Sequence, residues 1–309
     1  MNKCGGGLKA RTWLTAAIVV GLMAGCGSRD EVFGAGTAGA GAPPAGGPGP
    51  AGPAPALLTA ATYGMFGGTA GMTNMGDLTV INADVGTTQT GNASISGFHD
   101  SAPSDSYNET CPTLGAAVGC GEVTGKLFTC APSTTGPTSG GANAVSCAAA
   151  TQARLDAEAA YLALVAKPTT GTAPANLANQ TITPGVYAAP AGSFTIEGGD
   201  LTLDAQGNAD AVFVFQMATT LTVGGPGVAF PQSIILAGGA QARNVFWQVG
   251  SAATINAAGG GTMVGTIIAQ AGAPLSTAPP PDRPVLTLNG RVLSLGAAVT
   301  LVNVVINLP

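Results

Sequence analysis

A short unit recurs along the second half of the chain: Thr, an aliphatic residue, then Thr, Asn or Asp. It stands at 181–183, 202–204, 220–222, 254–256 and 287–289. Side chains alternate between the two faces of an extended strand, so the aliphatic residue of each unit points inward and its two polar neighbours point outward. A small strand unit that repeats without a fixed period is typical of an irregular solenoid.

Most of the region from residue 57 to 309 consists of short runs rich in β-branched residues, bounded by Gly, Asn or Pro. This pattern predicts a mostly β fold. The exception is an Ala-rich stretch that ends before Pro168 and predicts one long helix at about 148–167. Its stripe at helical spacing is predicted to lie on the β body, and it comprises Leu155, Ala159, Leu162 and Val165 or Ala166.

Several longer motifs occur in one order along this region: 66–88, 95–100, the helical stretch, 183–187, 198–217, 244–255, 261–269 and 288–301. Together they resemble the microbial ice-binding (antifreeze) protein family. The resemblance implies an irregular right-handed three-faced β-helix with one long α-helix packed alongside. It also implies that the chain begins a coil, leaves it for a cap insert at about 99–147 and the helix, and then returns to complete the stack.

The composition excludes several classes of protein. Only 8% of the residues are charged, the net charge is −5 and the sequence pI is near 4.6. No cluster of Lys or Arg offers a basic footprint for nucleic acid. His99 is the single histidine, which argues against imidazole-based catalysis and His-rich metal sites. We therefore expect no catalytic residues, no metal and no cofactor.

One enzymatic alternative is a polysaccharide-acting solenoid, which needs clustered carboxylates and a basic catalyst. Asp200, Asp204 and Asp210 lie close in sequence, with Arg243 and Arg291 downstream. These carboxylates are expected to cap turns or to face solvent, because nothing else in the sequence indicates a catalytic pair. We therefore expect that the protein is not an enzyme.

The N-terminus has the pattern of an export signal. Lys3, Lys9 and Arg11 precede the apolar run 13–23, which is too short to span a bilayer. The run closes on 22–26, which resembles a bacterial lipobox with Cys26 as the lipidated residue. This predicts a signal peptide at 1–25 and an exported protein, anchored by lipid in the cell envelope at the outer membrane or cell surface, with ordinary secretion as the alternative.

Residues 27–56 are almost entirely Gly, Ala and Pro. Such a segment has little apolar area to bury, so it predicts a flexible linker before a folded domain at 57–309.

Four cysteines remain after the signal segment: Cys111, Cys120, Cys130 and Cys147. In an exported chain they predict two disulfides that staple the cap insert. Short loops favour Cys111 with Cys120 and Cys130 with Cys147, although the spacing leaves the other two pairings open.

Outward threonines suggest a mechanism for ice binding. Stacked strands lie roughly 4.8 Å apart and outward residues along one strand roughly 6.7 Å apart, which is close to repeats of the ice lattice. Thr is stiff at χ1, so its methyl and hydroxyl groups hold ordered water at little entropic cost. The Pro-containing insert within 273–285 lengthens a loop beside the expected face. That face is predicted to draw on Thr220, Thr222, Thr254, Asn256, Thr287, Asn289 and Thr300.

These observations predict a monomer whose partners are ice and ordered water, with the membrane reached through the lipid anchor. The resulting activity would be inhibition of ice growth or recrystallisation. The alternative from another class is a cell-surface adhesin or extracellular matrix-binding module that uses the same scaffold for polysaccharide or protein.

Overall fold

Short parallel strands wind around a common core in the computed structural model, which describes residues 51–91, 94–100, 121–132, 143–225, 231–276 and 284–309. All of them belong to one compact unit. In chain order the strands are β1 (Tyr63–Gly67), β2 (Met72–Asn74), β3 (Val80–Asn82), β4 (Asp84–Thr87), β5 (Ile95–Ser96), β6 (Phe98–Asp100), β7 (Gly121–Val123), β8 (Leu127–Thr129), β9 (Thr181–Ile182), β10 (Gly185–Ala188), β11 (Phe194–Ile196), β12 (Leu201–Asp204), β13 (Phe213–Met217), β14 (Leu221–Val223), β15 (Ile234–Ala237), β16 (Val245–Val249), β17 (Ala253–Ile255), β18 (Thr262–Ala269), β19 (Ala273–Leu275), β20 (Leu286–Ser294), β21 (Val299–Leu301) and β22 (Val304–Asn307).

The strands form three faces of a β-solenoid. Face a contains β10, β13, β16, the second halves of β18 and β20, then β1, β4 and β8. Face b is the seven-stranded sheet β11-β14-β17-β19-β21-β2-β5. Face c contains β9, β12 and β15, followed by the first halves of β18 and β20 and by β22, β3, β7 and β6. The predicted mostly β solenoid fold is therefore confirmed.

The order of the strands in the stack differs from their order in the chain. Met65 of β1 pairs with Val292 of β20, and Val80 of β3 pairs with Val305 of β22. The N-terminal coils therefore stack on the last C-terminal coil, as the family resemblance implied for a chain that leaves the solenoid and returns.

Two long strands turn the corner between faces c and a without a break. Gly265 in β18 pairs with Gly290 in β20 at the bend, and Gly265 has a φ of 95°. A Cβ on Gly290 would lie 1.9 Å from the carbonyl oxygen of Gly265. Only glycine permits this close approach of the two backbones.

Inward side chains fill the solenoid with a continuous apolar core. Its centre is an aromatic stack, in which the rings of Phe215 and Trp247 are 4.3 Å apart and Tyr187 stacks on the other side of Phe215. The indole N–H of Trp247 donates to the carbonyl oxygen of Val264 at 2.9 Å. Both Trp247 and Tyr187 are buried.

One long helix, α1 (Ala144–Val165), covers the outer surface of face a. Asn143 caps its start, since the side-chain oxygen accepts hydrogen bonds from the N–H groups of Val145 and Ser146. At its end the Gln216 side chain donates to the carbonyl oxygens of Leu164 and Lys167. Short 3₁₀ helices occur at Leu58–Thr62 and Ala242–Asn244. Within the described residues, no helix is both long and apolar enough to span a membrane.

The predicted contact stripe of the helix is wrong. Leu155 and Leu162 are 50% and 58% exposed, and Val165 is also exposed. Face a already presents large outward side chains, including Phe66 and Phe246, so the helix fits against them with its small residues. The buried stripe consists of Ser146, Ala150, Ala153, Asp156, Ala157, Ala160, Tyr161 and Leu164.

The boundaries of the segments also differ from expectation. Ala51 is buried against the helix cluster, and the ammonium group of Lys167 donates to the carbonyl oxygens of Ala51 and Pro53. Part of the expected linker thus packs on the folded domain. Within the cap insert expected at about 99–147, β7 and β8 are strands of the solenoid itself. Cys26 lies outside the described residues.

A disulfide joins Cys130, just after β8, to Cys147 in the first turn of α1. This is the second of the two pairs that short loops favoured. Cys111 and Cys120 lie outside the described residues.

Candidate functional site

The outward side chains of face b form one straight row. In each strand the residues before and after the outward position are buried, which shows that the side chain between them faces outward. Adjacent strands are in register, so neighbouring members of the row are separated by about 4.8 Å. The row consists of Thr195, Thr222, Thr254, Pro274, Thr300, Thr73 and Ser96.

Face b is uncharged. Its seven strands, all among the described residues, contain no Asp, Glu, Lys or Arg. Glu197 follows β11 directly and lies at one corner of the sheet. The surface therefore offers hydroxyl and methyl groups without a strongly hydrated ion among them.

A second group of hydroxyls lies beside one end of the row, where the chain turns from face a into face b. The hydroxyl oxygen of Ser193 is 2.6 Å from that of Thr219 and 3.0 Å from that of Thr220. These hydrogen bonds orient the hydroxyls relative to each other. Around Thr195 and Thr222, face b therefore carries hydroxyls both along the row and to one side of it.

The structure separates the residues that the sequence assigned to a single face. Thr222, Thr254 and Thr300 lie in the row of face b, and Thr220 lies at its edge. Thr287 and Asn289 belong to the first half of β20 and lie on face c. A unit of Thr, aliphatic residue and polar residue thus occurs on both faces.

Asn256 is not on a surface at all, which corrects the sequence-based assignment. Its side chain is 1% exposed at the corner between faces b and c. Its oxygen accepts from the N–H of Gln232, and its amide group donates to the carbonyl oxygens of Gln232 and Gly260. Asn256 closes a corner, because its φ of 40° ends the strand there.

Face c has a different chemistry from face b. The Asn82 amide donates to the side-chain oxygen of Asn307 at 2.8 Å, and the Asn307 amide donates to that of Asn289 at 3.3 Å. The neighbouring outward row is mixed, since it places Val305 and Glu122 in line with Thr287. The asparagine amides of face c thus bond largely to one another.

The sequence-based search missed Thr73, Thr195 and Ser96. It looked for polar residues on both sides of an aliphatic residue, whereas the strands of face b place one polar residue between two apolar ones. Phe194-Thr195-Ile196 and Val299-Thr300-Leu301 carry this signal.

The carboxylates of the enzymatic alternative serve local structure. Asp200 accepts from the N–H of Ser233, and Asp204 accepts from the N–H of Gln206. Asp210 is an exposed partner of Arg243 at 3.8 Å. Among the described residues no group of three or more His, Cys, Asp or Glu side chains is placed to hold a metal ion.

Arg291 is buried rather than open to a substrate. Its guanidinium donates to the hydroxyl of Thr266 and to the carbonyl oxygen of Ala61. Burial lowers the pKa of Arg291 to about 10. This arginine ties the Leu58–Thr62 helix to the solenoid.

The fold and the regular hydroxyl row define a solenoid of the ice-binding class. The family described as ice-binding-like matches residues 66–307, and the chain therefore belongs to it. This is a family of ice-binding proteins, which are not enzymes.

Proteins related to this chain in sequence are named ice-binding proteins. The chain is 42% identical over 101 residues to ice-binding protein 1 of Shewanella frigidimarina, which covers 31% of this chain and 11% of that protein. It is 36% identical over 156 residues to an ice-binding protein of Nostoc, covering 49% of this chain and 51% of the relative. The chain thus spans about a tenth and about half of the length of these relatives.

Solved structures of ice-binding proteins share the fold. That of the Antarctic ascomycete Antarctomyces psychrotrophicus is 31% identical, with a TM-score of 0.60 over 83% of this chain and 98% of that one. The corresponding domain of the Shewanella frigidimarina protein is 27% identical, with a TM-score of 0.63 over 82% of this chain and 98% of that domain. These relatives give no support to the adhesin alternative.

Proposed function

We propose that the protein binds ice crystals through face b and thereby inhibits ice growth or recrystallisation. The observation that carries this proposal is the uncharged row of face b, in which successive solenoid coils each place one outward side chain and six of the seven carry a hydroxyl. The relatives named above are ice-binding proteins, and the two solved structures among them share the fold of this chain.

The physical basis is pre-ordering of water. Backbone hydrogen bonds between parallel strands hold the row at a regular spacing of about 4.8 Å. The β-branched threonines are stiff at χ1, so ordering them against water costs little additional rotamer entropy. Each side chain pairs a methyl group, which excludes water, with a hydroxyl that bonds to it. A water layer held at this spacing can join the ice lattice.

Two equivalent substitutions on different faces test the proposal. Thr254→Tyr inserts a bulky ring into the row of face b, and Thr287→Tyr makes the same change on face c. We expect Thr254→Tyr to remove most of the thermal hysteresis and the inhibition of recrystallisation, and Thr287→Tyr to leave both near wild type. Circular dichroism should show that both variants fold.

An inactive wild-type domain at high concentration would overturn ice binding altogether. Loss of activity in Thr287→Tyr but not in Thr254→Tyr would instead assign the activity to face c.

We also propose that the protein is exported and anchored by lipid at Cys26, and that the domain acts as a monomer. The lipobox-like sequence at 22–26 supports the anchor, and the Cys130–Cys147 disulfide is the kind of bond that oxidising compartments maintain. Palmitate labelling of the full chain should disappear in Cys26→Ala, and equal labelling of both chains would contradict the anchor.

Light scattering of the purified domain should give the mass of one chain. A dimer mass would contradict the proposed monomer.

A further inference from the structure

The hydroxyl row of face b is interrupted once, at Pro274. This residue pairs with Thr300 of β21 on one side. On the other side Ile255 pairs with Leu275, which sets Pro274 beside Thr254. The pyrrolidine ring is the outward group at this position, so this coil contributes no hydroxyl to the surface.

Pro274 also changes the pairing of the strands beneath the surface. β14 pairs with β17 along all three residues, and so does β19 with β21. Between β17 and β19 the ladder pairs Ile255 with Leu275, and the backbone bonds on either side of Pro274 run from Ala253 to Gly272 and from Ser276 to Ile255. A proline has no N–H for the ladder, and it is ordinarily found at sheet edges rather than inside a sheet. Here it lies in the fourth of seven strands.

The coil of Pro274 is irregular at its corner as well. Asn256 and Asn303 stand at the corners between faces b and c in the coils on either side, and their side-chain oxygens accept backbone hydrogen bonds. Ser276 stands at the matching corner with a φ of 48°, and its buried hydroxyl has no hydrogen-bond partner within the described part of the chain. The departure from the repeat is therefore confined to one coil in the middle of face b.

The interruption leaves two unequal patches. One contains Thr195, Thr222 and Thr254, and it lies beside the three bonded hydroxyls of Ser193, Thr219 and Thr220. The other contains Thr300, Thr73 and Ser96, where the corner leading into β21 is formed by Gly296, Ala297 and Ala298. Two coils separate Thr254 from Thr300, which is about 9.6 Å at the ordinary strand spacing.

We propose that Pro274 divides face b into two patches that order water separately, and that this division limits the affinity of the protein for ice. The inference rests on the proposed ice-binding function. A water above Pro274, between Thr254 and Thr300, lacks the hydroxyl partner that every other position of the row supplies. Continuity of the ordered layer therefore ends at this coil.

Restoring the hydroxyl is the direct experiment. Pro274→Thr supplies a hydroxyl and a backbone N–H, whereas Pro274→Val supplies the N–H and the same β-branched shape without the hydroxyl. One added hydrogen bond predicts that Pro274→Thr inhibits ice recrystallisation at a concentration about twofold or more below that of the wild type. We expect Pro274→Val to match the wild type, with thermal unfolding reported for all three chains.

A wild-type value for Pro274→Thr, or an equal gain for Pro274→Val, would overturn the division. If the wild type is active in these assays, either result contradicts the division alone. If neither the wild type nor Pro274→Thr inhibits recrystallisation, both the division and the proposed function fail.

A second measurement leaves Pro274 untouched. In double-mutant cycles on the inhibitory concentration, Thr195→Val with Thr254→Val probes a pair two coils apart within one patch, and Thr254→Val with Thr300→Val probes a pair two coils apart across Pro274. Separate patches predict additive effects on the logarithm of concentration across Pro274 and non-additive effects within the patch. Coupling across Pro274 as strong as coupling within the patch would overturn the division.

Discussion

The side-chain oxygen of Asn256 accepts a hydrogen bond from the backbone N–H of Gln232 at 3.0 Å, joining the same corner in two adjacent coils. The amide of Asn256 returns a bond to the carbonyl oxygen of Gln232 at 2.9 Å. Asn74 and Asn303 make comparable bonds between coils elsewhere in the stack, to Gly97 and Leu78. Asparagine suits these corners because its short amide replaces backbone partners that a turn leaves unpaired.

Asn256→Ala should therefore reduce stability rather than act on the ice-binding surface. It leaves buried backbone groups of Gln232 without partners and forces alanine to a positive φ, so we expect the free energy of unfolding to fall by about 2–3 kcal/mol. The matched control Asn289→Ala on face c should cost about 0.5 kcal/mol or less. Urea unfolding measures both. Equal stability of the two variants would contradict the corner role.

Asp156 should make the attachment of the Leu58–Thr62 helix to α1 sensitive to acid. Its burial alone raises the pKa, but hydrogen bonds from the hydroxyl and N–H of Thr59 and from Gln152 outweigh this and lower it below the usual value. A lowered folded pKa contributes stability that is complete above the unfolded pKa of about 3.9 and is lost as the pH falls through the folded pKa. Asp156→Asn should thus be less stable than wild type at neutral pH, with the difference shrinking in acid.

Unfolding of wild type and Asp156→Asn between neutral pH and about pH 2 measures this effect. Glu158→Gln is the control, because Glu158 is exposed and its pair with Arg154, at 3.4 Å, should contribute about 0.5 kcal/mol or less. A difference between wild type and Asp156→Asn that does not change with pH would contradict the acid sensitivity.

Reduction of the Cys130–Cys147 bond should destabilise the domain. The bond closes a loop with a sequence separation of 17. Chain-entropy arguments for a loop of this size predict a loss of about 3 kcal/mol. The double variant Cys130→Ser and Cys147→Ser should show this loss in oxidising buffer. Unchanged stability of the double variant would indicate that the bond does not constrain the unfolded chain.

Two nearby leucines of α1 should differ in how much stability they lose on truncation. Leu164 is fully buried on the face a side, and Leu162 is exposed. Leu164→Ala should lower the free energy of unfolding by about 3 kcal/mol, and Leu162→Ala by about 0.5 kcal/mol or less. Denaturant unfolding compares them directly. The reverse order would restore the stripe predicted from the sequence.

Strand alternation made much of the fold predictable. Inward positions such as Leu203 and Leu288 follow from two-residue periodicity, because a residue with polar neighbours on a strand has its own side chain in the core. The helix was predictable from its Ala-rich run and from Pro168, although it begins at Ala144 rather than at about 148. Its orientation was not, because apolar residues lie on both of its sides.

The short strands, the single helix, the outward direction of most threonines and the resemblance to a family follow from the order of amino acids alone. That Thr254 and Thr287 lie on different faces, and that Asn256 lies on neither, becomes visible in the folded solenoid. Alternation along a strand distinguishes inside from outside, but it carries no information about rotation around the coil. That rotation is set at the corners, where loops of unequal length, glycines such as Gly265 and asparagines such as Asn256 determine which face the next strand joins.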